Sequence, residues 1–233
     1  MDPIPWLSPN VIGFPAATQA SRDPDGLLAA GADLTMPWLL EAYAHGIFPW
    51  FESDDDYILW WSPSERAVLR PGTMKVSRSL AKRIRNGGFS ICWDNNFEAV
   101  INHCAEAHPS RPSTWITPRM RTAYLELFES GFAHCVEVYQ DKLLVGGLYG
   151  LSLGAMFFGE SMFSRVADAS KVAFYHLQNT LEAENFTLID CQMENEHLNT
   201  LGIELMQRAN FLQLLEQNRL QPTRLGPWRF ATS

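Results

Sequence analysis

No stretch of this chain is apolar and unbroken for long enough to cross a bilayer, which takes about 20 residues in a helix. The longest apolar runs are interrupted by Gly, Glu or Lys. The opening Met1-Asp2-Pro3-Ile4-Pro5 has neither the basic nor the apolar region of a secretory signal, so a cytoplasmic location is expected. Cysteine is scarce, with four in 233 residues. Cys92, Cys104, Cys135 and Cys191 stand singly among apolar neighbours, with no CxxC pair and no Cys/His group at zinc spacing. Reduced, buried thiols are the expectation. Positive charge is also short. There are 18 Lys+Arg against 26 Asp+Glu, a net charge of −8, which taken globally argues against nucleic acid. With 46% hydrophobic residues the chain still has enough apolar material for a core, which excludes a disordered chain, a disulfide-stapled miniprotein and a fibre.

Proline and tryptophan are plentiful but unevenly spread. Nine of the 14 prolines fall by Pro71, and five of the eight tryptophans by Trp61. Such a segment cannot hold long helices or central strands, and it reads as a small irregular unit packed around aromatics. It has one good helix, capped by Thr35, with Pro37 in the first turn and Gly46 as its stop. After Pro71 the texture becomes regular. Ser77 to Asn86 reads as a basic helix, Phe89 to Trp93 as a strand, and Asn96 to Ala107 as a helix closed by Pro109. Thr117-Pro118 opens a further helix that ends at Gly131. A meander follows: Cys135 to Tyr139, a turn at Gln140-Asp141-Lys142, Leu143 to Gly150, and Ala155 to Phe158. Asp168 to Glu184 alternates at helical period, Thr187 to Gln192 is a short apolar strand, and Ala209 to Asn218 is a final helix. Helices interleaved with a mostly antiparallel sheet predict an α+β fold.

Several segments could carry chemistry. Lys75, Arg78, Lys82, Arg83 and Arg85 form a run with no acidic residue up to Asn86. Arg78, Lys82 and Arg85 share a helix face. On spacing alone a solvated face explains them equally well. The contrast with so acidic a chain favours a polyanion partner. Trp50, in Gly46-Ile47-Phe48-Pro49-Trp50-Phe51, and Trp115, just before a helix start, lie in short rigid segments. Each is either core or a stacking platform for a nucleobase. Phe157 to Arg165 sets Glu160 among apolar residues, so either Arg165 or a cationic ligand must satisfy it. Gly159-Glu160-Ser161-Met162-Phe163 is no nucleophile elbow, because Phe163 stands where the second Gly belongs. The six histidines are scattered and read as surface or satisfied residues. In Leu188-Ile189-Asp190-Cys191-Gln192, a strand would point Asp190 and Gln192 to one face, as a hydrogen-bond network or as part of a site.

Together these segments resemble the bacterial leucyl/phenylalanyl-tRNA–protein transferases. The motifs Gly46 to Phe51, Trp60-Trp61-Ser62-Pro63, Thr114-Trp115-Ile116-Thr117, Val145 to Gly150, Gly159 to Ser164 and Ile189-Asp190-Cys191-Gln192 occur in the family's order, from about residue 14 to the last helix. The resemblance implies a small N-terminal domain over residues 1–66. It also implies an N-acetyltransferase-like domain over 67–233, with a mostly antiparallel mixed sheet flanked by helices. It implies transfer of Leu, Phe and less readily Met from aminoacyl-tRNA to proteins that begin with Arg or Lys, marking them for N-end rule degradation. It implies no cofactor and no metal, no membrane partner, and a monomer. By resemblance Gln192 accepts a hydrogen bond from the attacking amine, Asp190 orients that amide, and Glu160 supplies negative charge near the acceptor's N-terminus. Trp50 and Trp115 would hold the terminal adenosine. Leu148, Met162, Phe174 and Leu177 would form the amino-acid pocket, and Arg78, Lys82, Arg83 and Arg85 would grip the tRNA. A coenzyme A–dependent acyltransferase is the main competing reading, but the chain has no Arg/Gln-x-x-Gly-x-Gly/Ala pyrophosphate loop. A non-catalytic RNA-binding module would leave Asp190, Gln192 and Glu160 without work.

Overall fold

The computed structural model describes residues 3–106 and 114–230. The first quarter builds a four-stranded sheet of short strands. These are β1 (Trp6–Leu7), β2 (Leu27–Gly31), β3 (Phe48–Pro49) and β4 (Leu59–Trp61), in the order β1-β2-β4-β3. Helix α1 (Met36–Ala44) crosses it, with a proline in the first turn and Gly46 at φ +73° beyond its end. Thr35 stands at the expected cap position, but its side chain makes no capping hydrogen bond.

Strand β5 (Glu65–Leu69) already belongs to a second, seven-stranded sheet, so the expected break between residues 66 and 67 falls inside a strand. Then come α2 (Arg78–Asn86), β6 (Phe89–Trp93), α3 (Phe97–Ala105), α4 (Pro118–Glu129), β7 (Ala133–Gln140), β8 (Leu143–Leu153) and β9 (Met156–Ser164). The chain continues through α5 (Ala169–Ala183), β10 (Leu188–Asp190), α6 (Glu196–Leu201), β11 (Glu204–Gln207) and α7 (Arg208–Asn218). The sheet order is β11-β5-β10-β9-β8-β7-β6. β9 and β10 run parallel, and the other pairs of this sheet are antiparallel. The α+β class therefore stands, as a mixed sheet with helices on both faces.

Local chemistry explains the element ends. Ser77 Oγ accepts from Leu80 N at 3.1 Å and starts α2; Thr117 Oγ1 accepts from Met120 N at 3.3 Å and starts α4. Asp141 and Lys142, at φ 50° and 66°, form the two-residue turn of the β7–β8 hairpin. α3 ends at Ala105, earlier than expected, and Ala107 and Pro109 lie outside the described residues. Gly146 on β8 lets α5 approach the sheet, since a Cβ there would sit 2.5 Å from that of Ala169.

Alternate strand residues feed two hydrophobic clusters. Tyr149, Phe158 and Leu188 face α1, α3, α4 and α7, whereas Leu148, Phe157 and Ile189 face α2, α5 and α6. The first cluster also takes in Trp38, Phe48 and Trp60, so the small sheet shares a core with the large one. Of the cysteines, Cys104, Cys135 and Cys191 are buried, and Cys92 is only partly covered. None of the four is joined in a disulfide.

Candidate active site

The parallel pair is short. Leu188, Ile189 and Asp190 pair with Met156, Phe157 and Phe158. β10 then stops, while β9 runs on to Ser164 against β8 alone. The sheet splays beyond Asp190, and a cavity of about 250 Å³ lies between β9 and the chain that follows β10. Buried Leu148, Phe157, Phe174 and Leu177 give it an apolar lining. Trp115, Met162, Glu160 and Gln192, all partly exposed, line the same space.

Glu160 owes its position to a bulge. Gly150 pairs with Gly159 and Tyr149 with Ser161, which leaves Glu160 as the extra residue of β9. A bulge of this kind re-aims a side chain. Its Oε1 accepts from Tyr43 Oη at 2.6 Å and from Gln192 Nε2 at 3.2 Å; its Oε2 accepts from Tyr124 Oη at 2.8 Å. The two tyrosine hydroxyls also touch each other. Arg165 is not the partner of Glu160. It pairs instead with Glu106 at 2.7 Å. Burial pushes the Glu160 carboxyl up to about 7, against the lowering effect of the two tyrosine hydrogen bonds. Burial and then the Glu160 charge hold both tyrosines well above their ordinary value.

Asp190 lies behind the cavity and is fully buried. Arg66 Nε and Nη2 reach its two oxygens at 2.9 and 2.8 Å, a bidentate pair. Arg66 Nη1 donates to Gly46 O at 3.0 Å, and its guanidinium sits 4.8 and 4.7 Å from the Phe48 and Phe211 ring centroids. Asp190 Oδ1 also accepts the backbone N–H of Gln192 at 2.9 Å. The expected bond from Asp190 to the Gln192 amide is thus replaced by two others: Asp190 fixes the backbone, and Glu160 holds the amide. The strand alternation expected for Gln192 also fails, because Gln192 has left β10 at φ +56°. A left-handed turn aims its side chain across the cleft at β9.

Seven expected site residues thus line one cavity: Glu160, Gln192, Trp115, Leu148, Met162, Phe174 and Leu177. Trp50 does not line it. It packs edge-on against Trp61 at 5.7 Å and accepts from Trp61 Nε1 through its carbonyl. The basic helix is separate too. Arg78, Lys82 and Arg85 are exposed, while Arg83 lies partly covered, 4.9 Å from the Phe89 ring centroid. Sequence reasoning missed Tyr43, Tyr124 and Arg66, and also His197, which lines the cavity. The one available signal was Arg66 itself, a charge set directly before the apolar Ala67-Val68-Leu69 of its strand. Among the described residues no three His, Cys, Asp or Glu side chains converge as a metal site, and no helix is long and apolar enough to cross a membrane.

An apolar cavity in a splayed mixed sheet, edged by a carboxylate bonded to an amide, gives this α+β fold a place to hold an apolar group beside an ionisable one. Residues 68–216 match the family model described as leucyl/phenylalanyl-tRNA protein transferase, and residues 32–64 match that of its N-terminal domain. The chain belongs to the leucyl/phenylalanyl-tRNA–protein transferase family. Relatives bearing that name include one from Chromohalobacter salexigens, 53% identical over 99% of this chain and 90% of its own length. Another, from Chromobacterium violaceum, is 50% identical over 97% of each chain. Likenesses to solved structures are distant. A GCN5-related N-acetyltransferase from Kribbella flavida gives a TM-score of 0.39 at 13% identity, over 70% of this chain and 57% of that one. L-PGS from Bacillus licheniformis gives 0.39 at 10%, over 67% and 50%.

Proposed function

We propose that this enzyme moves leucine or phenylalanine, and less readily methionine, from aminoacyl-tRNA to the α-amino group of proteins beginning with arginine or lysine. The transfer marks those proteins for N-end rule degradation, and the enzyme works as a cytoplasmic monomer. One observation carries the reading: the apolar cavity opens directly beside the Glu160–Gln192 pair. Leu148, Met162, Phe174 and Leu177 accept an aliphatic or benzyl side chain there and penalise a polar one, which would be buried without partners.

The chemistry asks little of the protein. The aminoacyl ester is already activated. An α-amino group with a pKa near 7.7–8.0 is roughly a tenth to a fifth neutral at pH 7. The amine nitrogen forms a bond to the ester carbonyl carbon, the bond from that carbon to the ribose oxygen breaks, and one proton passes from nitrogen to oxygen. Holding amine and ester together supplies most of the advantage. Gln192 gives its amide N–H to Glu160, which turns its carbonyl oxygen toward the incoming amine as an acceptor. With a carboxyl raised to about 7, Glu160 is ionised in about half of the molecules at neutral pH, and in that form it attracts the cationic N-terminus of the acceptor. Asp190, clamped by Arg66, fixes the backbone of Gln192. Trp115 stacks on the terminal adenosine, Trp50 supports the same nucleotide, and Arg78, Lys82, Arg83 and Arg85 hold the tRNA body by its phosphates.

Labelled Phe-tRNA incubated with peptides beginning with Arg, Lys or Ala tests this. Label should pass to the first two and not to the third. Equal labelling of all three, or none, would refute the acceptor specificity. Acetylation of the peptides from acetyl-coenzyme A would favour the coenzyme A reading instead.

A further inference from the structure

The transfer needs a route for one proton, and the Glu160–Gln192 pair does not complete it. Glu160 has a carboxyl raised to about 7, but both of its oxygens are taken by hydrogen bonds from Tyr43, Tyr124 and Gln192, so a proton arriving from the amine would have to displace one of them; Gln192 is an amide that gains and loses protons poorly. The other polar side chains of the cavity wall are Tyr149, Ser161, Asn195 and His197, together with the Trp115 indole and the Cys191 thiol. Tyr149 is wholly buried, its ring packed edge-on against Phe97 and Tyr124, and an indole N–H donates but does not accept. Asn195 is committed as the cap of α6, its Oδ1 accepting from Leu198 N at 2.9 Å. Burial pushes the Cys191 thiol far up, so it stays protonated. A serine hydroxyl such as Ser161 does not titrate near neutrality.

His197 differs from these. It stands in the first turn of α6, five residues after Gln192, and lines the same cavity. Among the described residues neither its ring nor that of His176 has a hydrogen-bond partner, unlike His103 (bonded to Glu106), His134 (bonded to Asp94) and His45 (bonded to the Glu41 carbonyl). Of the described histidines it alone lines this space. We propose that His197 is a catalytic residue that takes the proton from the attacking α-amine and returns it to the departing ribose oxygen of the aminoacyl-tRNA. The inference rests on the transferase reading above. The step balances without any further reactant: the N–C bond forms, the C–O bond to ribose breaks, and the imidazole ends as it began.

The surroundings keep the ring in the form this needs. His197 lines the cavity from an exposed position; the desolvation it still undergoes there lowers its pKa below the ordinary histidine value, the Lys171 charge on α5 lowers it further, and Asp168, beside the same helix, opposes them. Lys171 and Asp168 are themselves paired at 3.6 Å. Glu160 faces the cavity from β9, and Glu194 and Glu196 are exposed neighbours of His197 in the chain. A neutral imidazole carries one N–H and one lone pair, so it can accept at one nitrogen and donate from the other.

The test uses the full chain with His197→Ala and His197→Asn. Single-turnover transfer of Phe from Phe-tRNA to an Arg-starting peptide is measured at saturating tRNA and peptide, with tRNA affinity and melting temperature alongside. Losing a general acid–base group typically costs about 100-fold or more in rate. Both variants should therefore lose at least tenfold in transfer, with tRNA affinity and melting temperature close to the parent's. A smaller loss in either variant overturns the proposal, as does a loss matched by weaker tRNA binding or by unfolding of both variants. If the parent itself transfers no Phe to the peptide, the transferase reading fails and this inference with it. An active parent beside an active His197→Ala refutes this inference alone.

Discussion

Asp190→Asn should cost this fold several kilocalories per mole, although Asn has nearly the shape of Asp. The carboxylate and the Arg66 guanidinium are both buried, and they meet through two hydrogen bonds of 2.9 and 2.8 Å. Breaking a buried pair by removing one charge leaves the other uncompensated, at a cost of about 3–5 kcal/mol. Arg66 has little way out, being held between Phe48 and Phe211 and bonded to Gly46 O. For a chain of 233 residues, each kcal/mol moves the melting temperature by roughly 2–4 °C, so a fall of about 6–20 °C is expected. Arg66→Gln should be costly for the mirror-image reason. The double variant has no charge to strand, so it should lose clearly less than the two singles added together. Thermal melts by circular dichroism on the parent, both singles and the double give the complete cycle. A shift under about 3 °C for Asp190→Asn, or strict additivity, would refute the reasoning. Well below the melting temperature, transfer per folded molecule should suffer less in Asp190→Asn than in Gln192→Ala. Asn still offers an oxygen to the backbone N–H of Gln192, whereas Ala removes the amide that meets Glu160.

Glu160 carries a pH signature. Its carboxyl is raised from 4.5 to about 7, so the folded chain keeps a proton that the unfolded chain releases between those values. That stability is full below about 4.5 and is lost as pH rises through about 7. The melting temperature of the parent should thus fall relative to that of Glu160→Gln between pH 5 and pH 8, and a constant gap would contradict the assignment. Lys82→Glu with Arg85→Glu, on the exposed face of α2, should raise the Michaelis constant for aminoacyl-tRNA. It should also flatten the salt dependence of binding by at most about 0.9 in slope per lost phosphate contact in a duplex region; an unchanged constant would remove this helix from the tRNA interface. Trp115→Ala should weaken aminoacyl-tRNA binding by about 1–3 kcal/mol if the adenine stacks there. Unchanged activity per folded molecule, with a lowered melting temperature, would make Trp115 a packing residue.

Some of this protein is written in short stretches of sequence and some is not. The helix from Ser77, the Thr117-Pro118 helix start and the turn at Gln140-Asp141-Lys142 were legible because a helix start or a tight turn is made by residues that are neighbours in the chain, although Ser77 proved to be the cap of α2 and not its first residue. The β6 boundaries and the basic face of α2 were legible for the same reason, through period and charge. The cavity residues on β8 and β9 were recognised by motif, and Phe174 and Leu177 on α5 through the family resemblance alone, without any knowledge of what they would face. Strand β5 was missed because Glu65 and Arg66 hide its apolar half. α6 and β11 were missed because each is too short to show a period.

The site itself needed the tertiary structure. Tyr43 meets Glu160 across 117 residues of chain, and Arg66 meets Asp190 across 124. No local pattern encodes such a meeting, because it follows from how α1 and α4 pack on the sheet and which strand lies beside which. The expected partner of Glu160 was Arg165, five residues away, or a cationic ligand, when the fold supplied hydroxyl donors from two helices distant in sequence. The direction of Gln192 depended on where β10 stops, and His197 acquired its place only once the sheet had splayed. Residue type determined what each group could do. Burial and the pairing of remote segments decided which groups would do it together.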